Sequence, residues 1–90
     1  MKPADRPFLP RGVRLHHDHV RGVPVLLGPE TALILDPVGQ AVLAEVDGTR
    51  DIATISAALA ERYAAPVEMI EADVIEFLDD MAARRLVEAT

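Results

Sequence analysis

Cysteine is absent from this chain of 90 residues, which excludes a disulfide framework, a thiolate metal site and a cysteine nucleophile. Aromatic residues make up only 3%, so any core must be assembled from Ala, Val, Ile and Leu. Ser56 is the single serine and no neighbouring His–carboxylate pair accompanies it, which argues against acyl transfer. The five glycines are scattered rather than gathered ahead of a helix, so a phosphate-binding loop is excluded. No apolar run approaches the roughly 20 residues of a membrane helix, and Met1-Lys2 is followed by Pro3, Asp5 and Arg6 rather than by a signal-like stretch. The expectation is a cytoplasmic protein with no membrane association. Basic residues are scarce in the second half: residues 51–90 hold three Lys/Arg against nine Asp/Glu, whereas residues 1–50 hold six of each. Nucleic-acid affinity rests largely on neutralised phosphates, so an acidic half argues against it.

What is present is organised around Pro66 to Leu86. Val67, Ile70, Val74, Phe77, Leu78 and Met81 recur every three or four residues and fall on one stripe of a helix. Pro66 suits the first helical position, Glu68 and Glu71 the positive end of the dipole, and Arg84 and Arg85 the other end. Ile75 lies to one side of the stripe and is a candidate contact. Glu68, Glu76, Asp79 and Asp80, with Glu71 and Asp73, make a single-signed face, read either as a solvated surface or as a docking surface for a basic partner.

Upstream, Met1 to Gly12 carries Pro3, Pro7 and Pro10 and is expected to be a flexible, extended arm (1–12) before a single domain (13–90). Residues alternate from Val13 to Val20, a strand pattern; Pro24–Leu27 and Thr31–Leu35 follow as two more strands after short turns. Connections this short permit only an antiparallel meander. Asp36-Pro37 starts a helix with Val38, Ala41, Val42 and Val46 as its apolar face, stopped at Asp47-Gly48. Asp51 caps a second helix whose stripe is Ile52, Ile55, Leu59 and Tyr63, broken at Ala64-Ala65-Pro66, and Leu86-Val87 closes on the core. Three strands followed by three helices imply an α+β fold.

The strand Thr31-Ala32-Leu33-Ile34-Leu35 carries no charge and must lie at an edge of such a meander. Edges are ordinarily guarded, so this one is either covered or open to an added strand. Ordering about six guest residues costs roughly 1–2 kcal/mol each, while net backbone hydrogen bonds return about 0.5–1.5 each. Two or three apolar anchors, contributing about 1.5–3 kcal/mol each, are needed for micromolar binding. Leu33, Leu35, Val74, Ile75 and Leu78 are candidate walls, and the sequence does not decide which face of the strand is core. A competing reading takes His17 and His19, on one side of a strand, as part of a metal-binding module; two imidazoles leave a zinc-type site short of ligands, and Asp18 points to the opposite face. A winged-helix nucleic-acid-binding regulator is the other alternative.

His16-His17-Asp18, Val25-Leu26-Leu27-Gly28-Pro29-Glu30, Leu35-Asp36-Pro37-Val38-Gly39, Asp47-Gly48, and Asp73-Val74 with Phe77-Leu78 occur in an order that resembles the coenzyme pyrroloquinoline quinone (PQQ) synthesis protein D family, over residues 13 to 88. The resemblance implies a winged-helix-like leader-peptide recognition element, not itself an enzyme and without a cofactor. It implies a chaperone that captures a ribosomally made precursor peptide and presents it to a radical S-adenosylmethionine (SAM) enzyme, which joins a Glu and a Tyr of that peptide. The implied peptide cleft maps onto Thr31, Ala32, Leu33, Ile34 and Leu35 and onto Ile70, Val74, Ile75, Leu78 and Met81, with Glu68, Glu76, Asp79 and Asp80 as the candidate enzyme-docking face. Both a monomer and a strand-exchanged dimer are compatible with the open edge.

Overall fold

The computed structural model describes residues 1–90. Eight elements follow one another: β1 (Pro7–Phe8), β2 (Arg14–Asp18), β3 (Val23–Leu27), β4 (Ala32–Ile34), α1 (Pro37–Ala44), α2 (Ile52–Tyr63), α3 (Val67–Ala83) and β5 (Glu88–Ala89). The expected meander is present as an antiparallel sheet in the order β2-β3-β4, followed by three helices, an α+β fold. The first strand is shorter than the alternation predicts, because the Asp18 carboxylate accepts the N–H groups of Val20 and Arg21 at 3.0 and 3.2 Å and turns the chain. His19 therefore sits in the turn, not on the strand.

The helix starts follow the sequence reading at two of three places. Asp36 accepts the Gly39 N–H at 2.7 Å with Pro37 in the first turn, and Asp51 accepts the Thr54 N–H at 2.8 Å. At α3, Pro66 is not the first helical residue but the extended residue before it, with ψ 131°. Both α2 and α3 end on a non-glycine residue in the left-handed region, Ala64 at φ 51° and Arg85 at φ 62°. In each case the next N–H reaches back to close the last turn, Ala65 to the Ala60 carbonyl at 3.0 Å and Leu86 to the Met81 carbonyl at 2.9 Å. The second closure swings Leu86 and Val87 into the core, where both are buried.

The core is aliphatic, as the lack of aromatics requires. Leu26, Ile52, Ile55 and Leu78 are fully buried at its centre, with Leu59, Val74 and Met81 around them. Two sequence assignments are corrected. On α1 the buried residues are Gly39, Ala41, Val42 and Leu43, while Val38 is exposed; on α2 the stripe ends at Leu59 and Ala60, leaving Tyr63 outside. The structure also adds a two-stranded ribbon, β1 with β5, that alternation over two residues cannot signal.

That ribbon corrects the expectation of a loosely held arm. Arg6 and Thr90 exchange two backbone hydrogen bonds at 3.0 Å, and the Gly48 N–H donates to the Pro7 carbonyl at 3.0 Å. The Asp5 and Pro3 carbonyls accept the N–H groups of Ile52 and Ala53, each at 2.9 Å. The first N–H groups of a helix have no partner within it, so the arm completes what the Asp51 side chain begins at the head of α2.

The α1–α2 connection is held by charge. Arg50 donates from Nε to Asp47 Oδ2 and from Nη2 to both the Glu45 carbonyl and Glu45 Oε2, all at 2.9 Å. The backbone N–H groups of Arg50 and Thr49, with the Arg50 guanidinium, hold the Asp47 carboxyl well below the usual range. Asp18 and Asp51 are lowered in the same direction, chiefly by the N–H groups of Arg21 and Thr54. A depressed carboxyl contributes stability above its unfolded value of about 3.9, and that contribution is lost as pH falls through the folded value. Urea midpoints are therefore expected to be level above about pH 5 and to fall between about pH 4 and pH 2. The Asp47→Asn variant should show a shallower fall, and an unchanged slope would remove Asp47 from the cause.

Candidate functional site

The open edge is built by the register of β4 on β3. Leu26 faces Leu33, the Gly28 N–H donates to the Thr31 carbonyl at 2.8 Å, and the Leu35 N–H donates to the Pro24 carbonyl at 3.0 Å. Residues 31, 33 and 35 thus turn their backbone groups toward β3. Ala32 and Ile34, one step out of phase, turn theirs to the other side, where no strand of the chain lies. No charge, proline or bulge guards that side.

The same register settles the face. Leu33 is half-buried against the core and Leu35 is buried, whereas Ile34, paired with the buried Val25 and turned to the other face of β4, is 55% exposed. Of the ten peptide-site candidates, Thr31, Ala32 and Ile34 are exposed, Leu33, Ile70 and Ile75 half-buried, and Leu35, Val74, Leu78 and Met81 buried. The last four belong to the buried core cluster.

Around α3 the candidates divide. Phe77 lies on the bare backbone of Gly39: a Cβ added there would sit 3.1 Å from the ring, so only glycine admits the contact without a shift. Gly39 is in the first turn of α1, five residues after Ile34 at the end of β4. Ile75 is two residues away, about 160° around a helix of about 100° per residue, and like Phe77 is half-buried against the core. Next to it, Asp79 takes the Met1 ammonium. Phe77 is the residue that sequence reasoning assigned wholly to the core, and its proximity to the four-residue block Asp36–Gly39 is visible only once α1 is placed.

The acidic face is only partly free. Asp79 is paired as above and Asp80 meets Arg84 Nε at 3.4 Å, a pair of more than half-exposed groups that contributes little. Glu68 and Glu76 are exposed and carry no ion pair. At the hairpin tip the His19 ring lies 5.2 Å from His17 and 6.5 Å from His16, centroid to centroid, in edge-on arrangements. No group of three His, Asp or Glu side chains is placed to hold a metal ion. No helix is long and apolar enough to cross a membrane.

A three-stranded antiparallel sheet followed by three helices, with the outer side of β4 unpaired, defines the class: a small α+β domain with an open strand edge. The family model described as coenzyme PQQ synthesis protein D (PqqD) matches residues 25–87. A "PqqA binding protein" of Rhizobium meliloti (strain 1021) is 46% identical over 80 residues, covering 89% of this chain and 82% of that protein. The solution structure of the PqqD truncation of Methylobacterium extorquens PqqCD, described as a stand-alone recognition element for ribosomally synthesized and post-translationally modified peptides, is 42% identical. It superimposes with a TM-score of 0.84 over 97% of this chain and 93% of that one. TbiB1, solved in complex with the TbiA(beta) leader peptide, shares the fold at 24% identity, with a TM-score of 0.76 over 90% of this chain and 94% of that one. The chain belongs to the coenzyme PQQ synthesis protein D family.

Proposed function

We propose that this protein is the peptide chaperone of PQQ biosynthesis: it binds the PqqA-type precursor peptide by strand addition along β4 and presents it to a radical SAM enzyme in the cytoplasm, performing no chemistry itself. The observation that carries this is the outward-turned backbone of Ala32 and Ile34 on an edge that the chain leaves unpaired. Membership of the family and a relative named for binding PqqA support the choice of guest. Ile34, Leu33 and Phe77 supply the apolar contacts, and Ile70 extends them along α3. Of the four docking candidates, Glu68 and Glu76 are the ones free to meet a basic patch on the enzyme. A second copy exchanging strands is the competing occupant of the same edge, and it would be displaced by the peptide.

Titration of isotope-labelled protein with the synthetic precursor peptide is expected to move the amide signals of residues 31–35 and of the Ile70–Met81 segment. Shifts confined to the β2–β3 turn or to α2 would reject the site.

A further inference from the structure

Between α1, α2 and α3 an open apolar cavity of about 240 Å³ is left unfilled. Val42, Leu59 and Val74 form its buried floor, Val38 and Tyr63 stand 65% and 53% exposed at its mouth, and Asp73 adds a single carboxylate. Volume limits what enters: a cavity of about 150 Å³ admits benzene, whereas drug-sized ligands take about 300–1,000 Å³. One large side chain fits, and a small-molecule cofactor does not. Asp73 is exposed and makes no ion pair, so a cation beside that side chain would be complemented.

The position of the cavity indicates whose side chain this is. Pro37 and Val38 follow β4 after only Leu35 and Asp36, and Ile70 belongs both to the cavity lining and to the α3 stripe. Val38 at the mouth is four residues beyond Ile34, so a strand lying on Ala32 and Ile34 and advancing about 3.3 Å per residue has the mouth within reach of about four further residues. We propose that this cavity is a side-chain pocket for the precursor peptide. It takes one large apolar residue with a basic group next to it, lying beyond the segment paired to β4. This inference rests on the reading of the chain as a precursor-peptide binder.

The test is calorimetric titration of the synthetic precursor peptide into wild type, Val38→Phe, which closes the mouth from an exposed position, and Asp73→Lys, with Ile34→Pro as the edge control. Val38→Phe is expected to weaken binding about tenfold, the loss of one buried anchor. Asp73→Lys is expected to weaken it about threefold or more and to flatten its salt dependence. If both variants keep the wild-type Kd while Ile34→Pro loses binding, the pocket inference is overturned and strand addition stands. Absence of binding by wild type overturns both. Unchanged peptide affinity with loss of affinity for the partner enzyme, or with a change of oligomeric state, assigns the cavity to another occupant and also overturns the inference. Should Val38→Phe fail to fold by circular dichroism, the Asp73→Lys titration decides alone.

Discussion

Replacing Ile34 by proline is expected to weaken precursor-peptide binding about 30-fold or more while lowering folding stability by only about 1 kcal/mol. Proline is excluded from strands where its missing N–H belongs to the ladder, but Ile34 turns its N–H away from β3, so the fold loses no bond. The guest loses one. A guest carbonyl left unpaired in the interface costs about 1–3 kcal/mol, and the proline ring occupies the space where that carbonyl would approach. The side chain contributes separately, so Ile34→Val, which keeps both the N–H and a branched apolar group, should bind within about threefold of wild type. The pair of variants separates backbone from side-chain recognition, measured by calorimetry with urea melts alongside. Equal Kd for Ile34→Pro and wild type would place the guest elsewhere.

The backbone logic of this site was legible in the sequence. Turn residues at Arg21-Gly22 and Gly28-Pro29, too close together for a crossover, force a meander, and a meander of three strands makes Thr31–Leu35 an edge whatever packs on it. Family resemblance then named a guest that periodicity has no means of naming. The side chains were less legible. A strand of period two tells which residues share a face but not which face meets the core. Leu33 was fixed only by its register with the fully buried Leu26. On α3 the wheel found the stripe from Ile70 to Met81 but not its start, since Val67 in the first turn is 39% exposed, and the contact of Phe77 with Gly39 depends on where α1 lies and not on α3 itself. The arm escaped for a related reason: prolines mark it as extended, but its hydrogen bonds go to Thr90, Gly48 and the head of α2, partners far away in the chain. Arg50, which ties Glu45 to Asp47, belongs to no stripe or motif of the sequence.

Truncating Leu78 to alanine is expected to cost about 2–5 kcal/mol of stability, against a total of about 5–13 kcal/mol for a chain of this length, while leaving the peptide affinity of the folded molecules within about twofold of wild type. Leu78 is fully buried in the same cluster as Leu26, Ile55 and Val87, so its loss leaves a cavity that the surrounding helices and sheet cannot close. The sequence grouped it with Val74 and Met81 as a cleft candidate; all three side chains are buried in the core cluster, so truncation is expected to act on packing. A floor residue and a wall residue are distinguished by how the two measurements divide. Urea denaturation of Leu78→Ala should show a lowered midpoint with little change in slope, and titration at low temperature, where the variant is folded, should return a near-normal Kd. A variant with wild-type stability that has lost the peptide would instead make Leu78 a direct contact, and the lane between β4 and α3 would have to run deeper into the molecule than the packing of Leu33 and Leu35 allows.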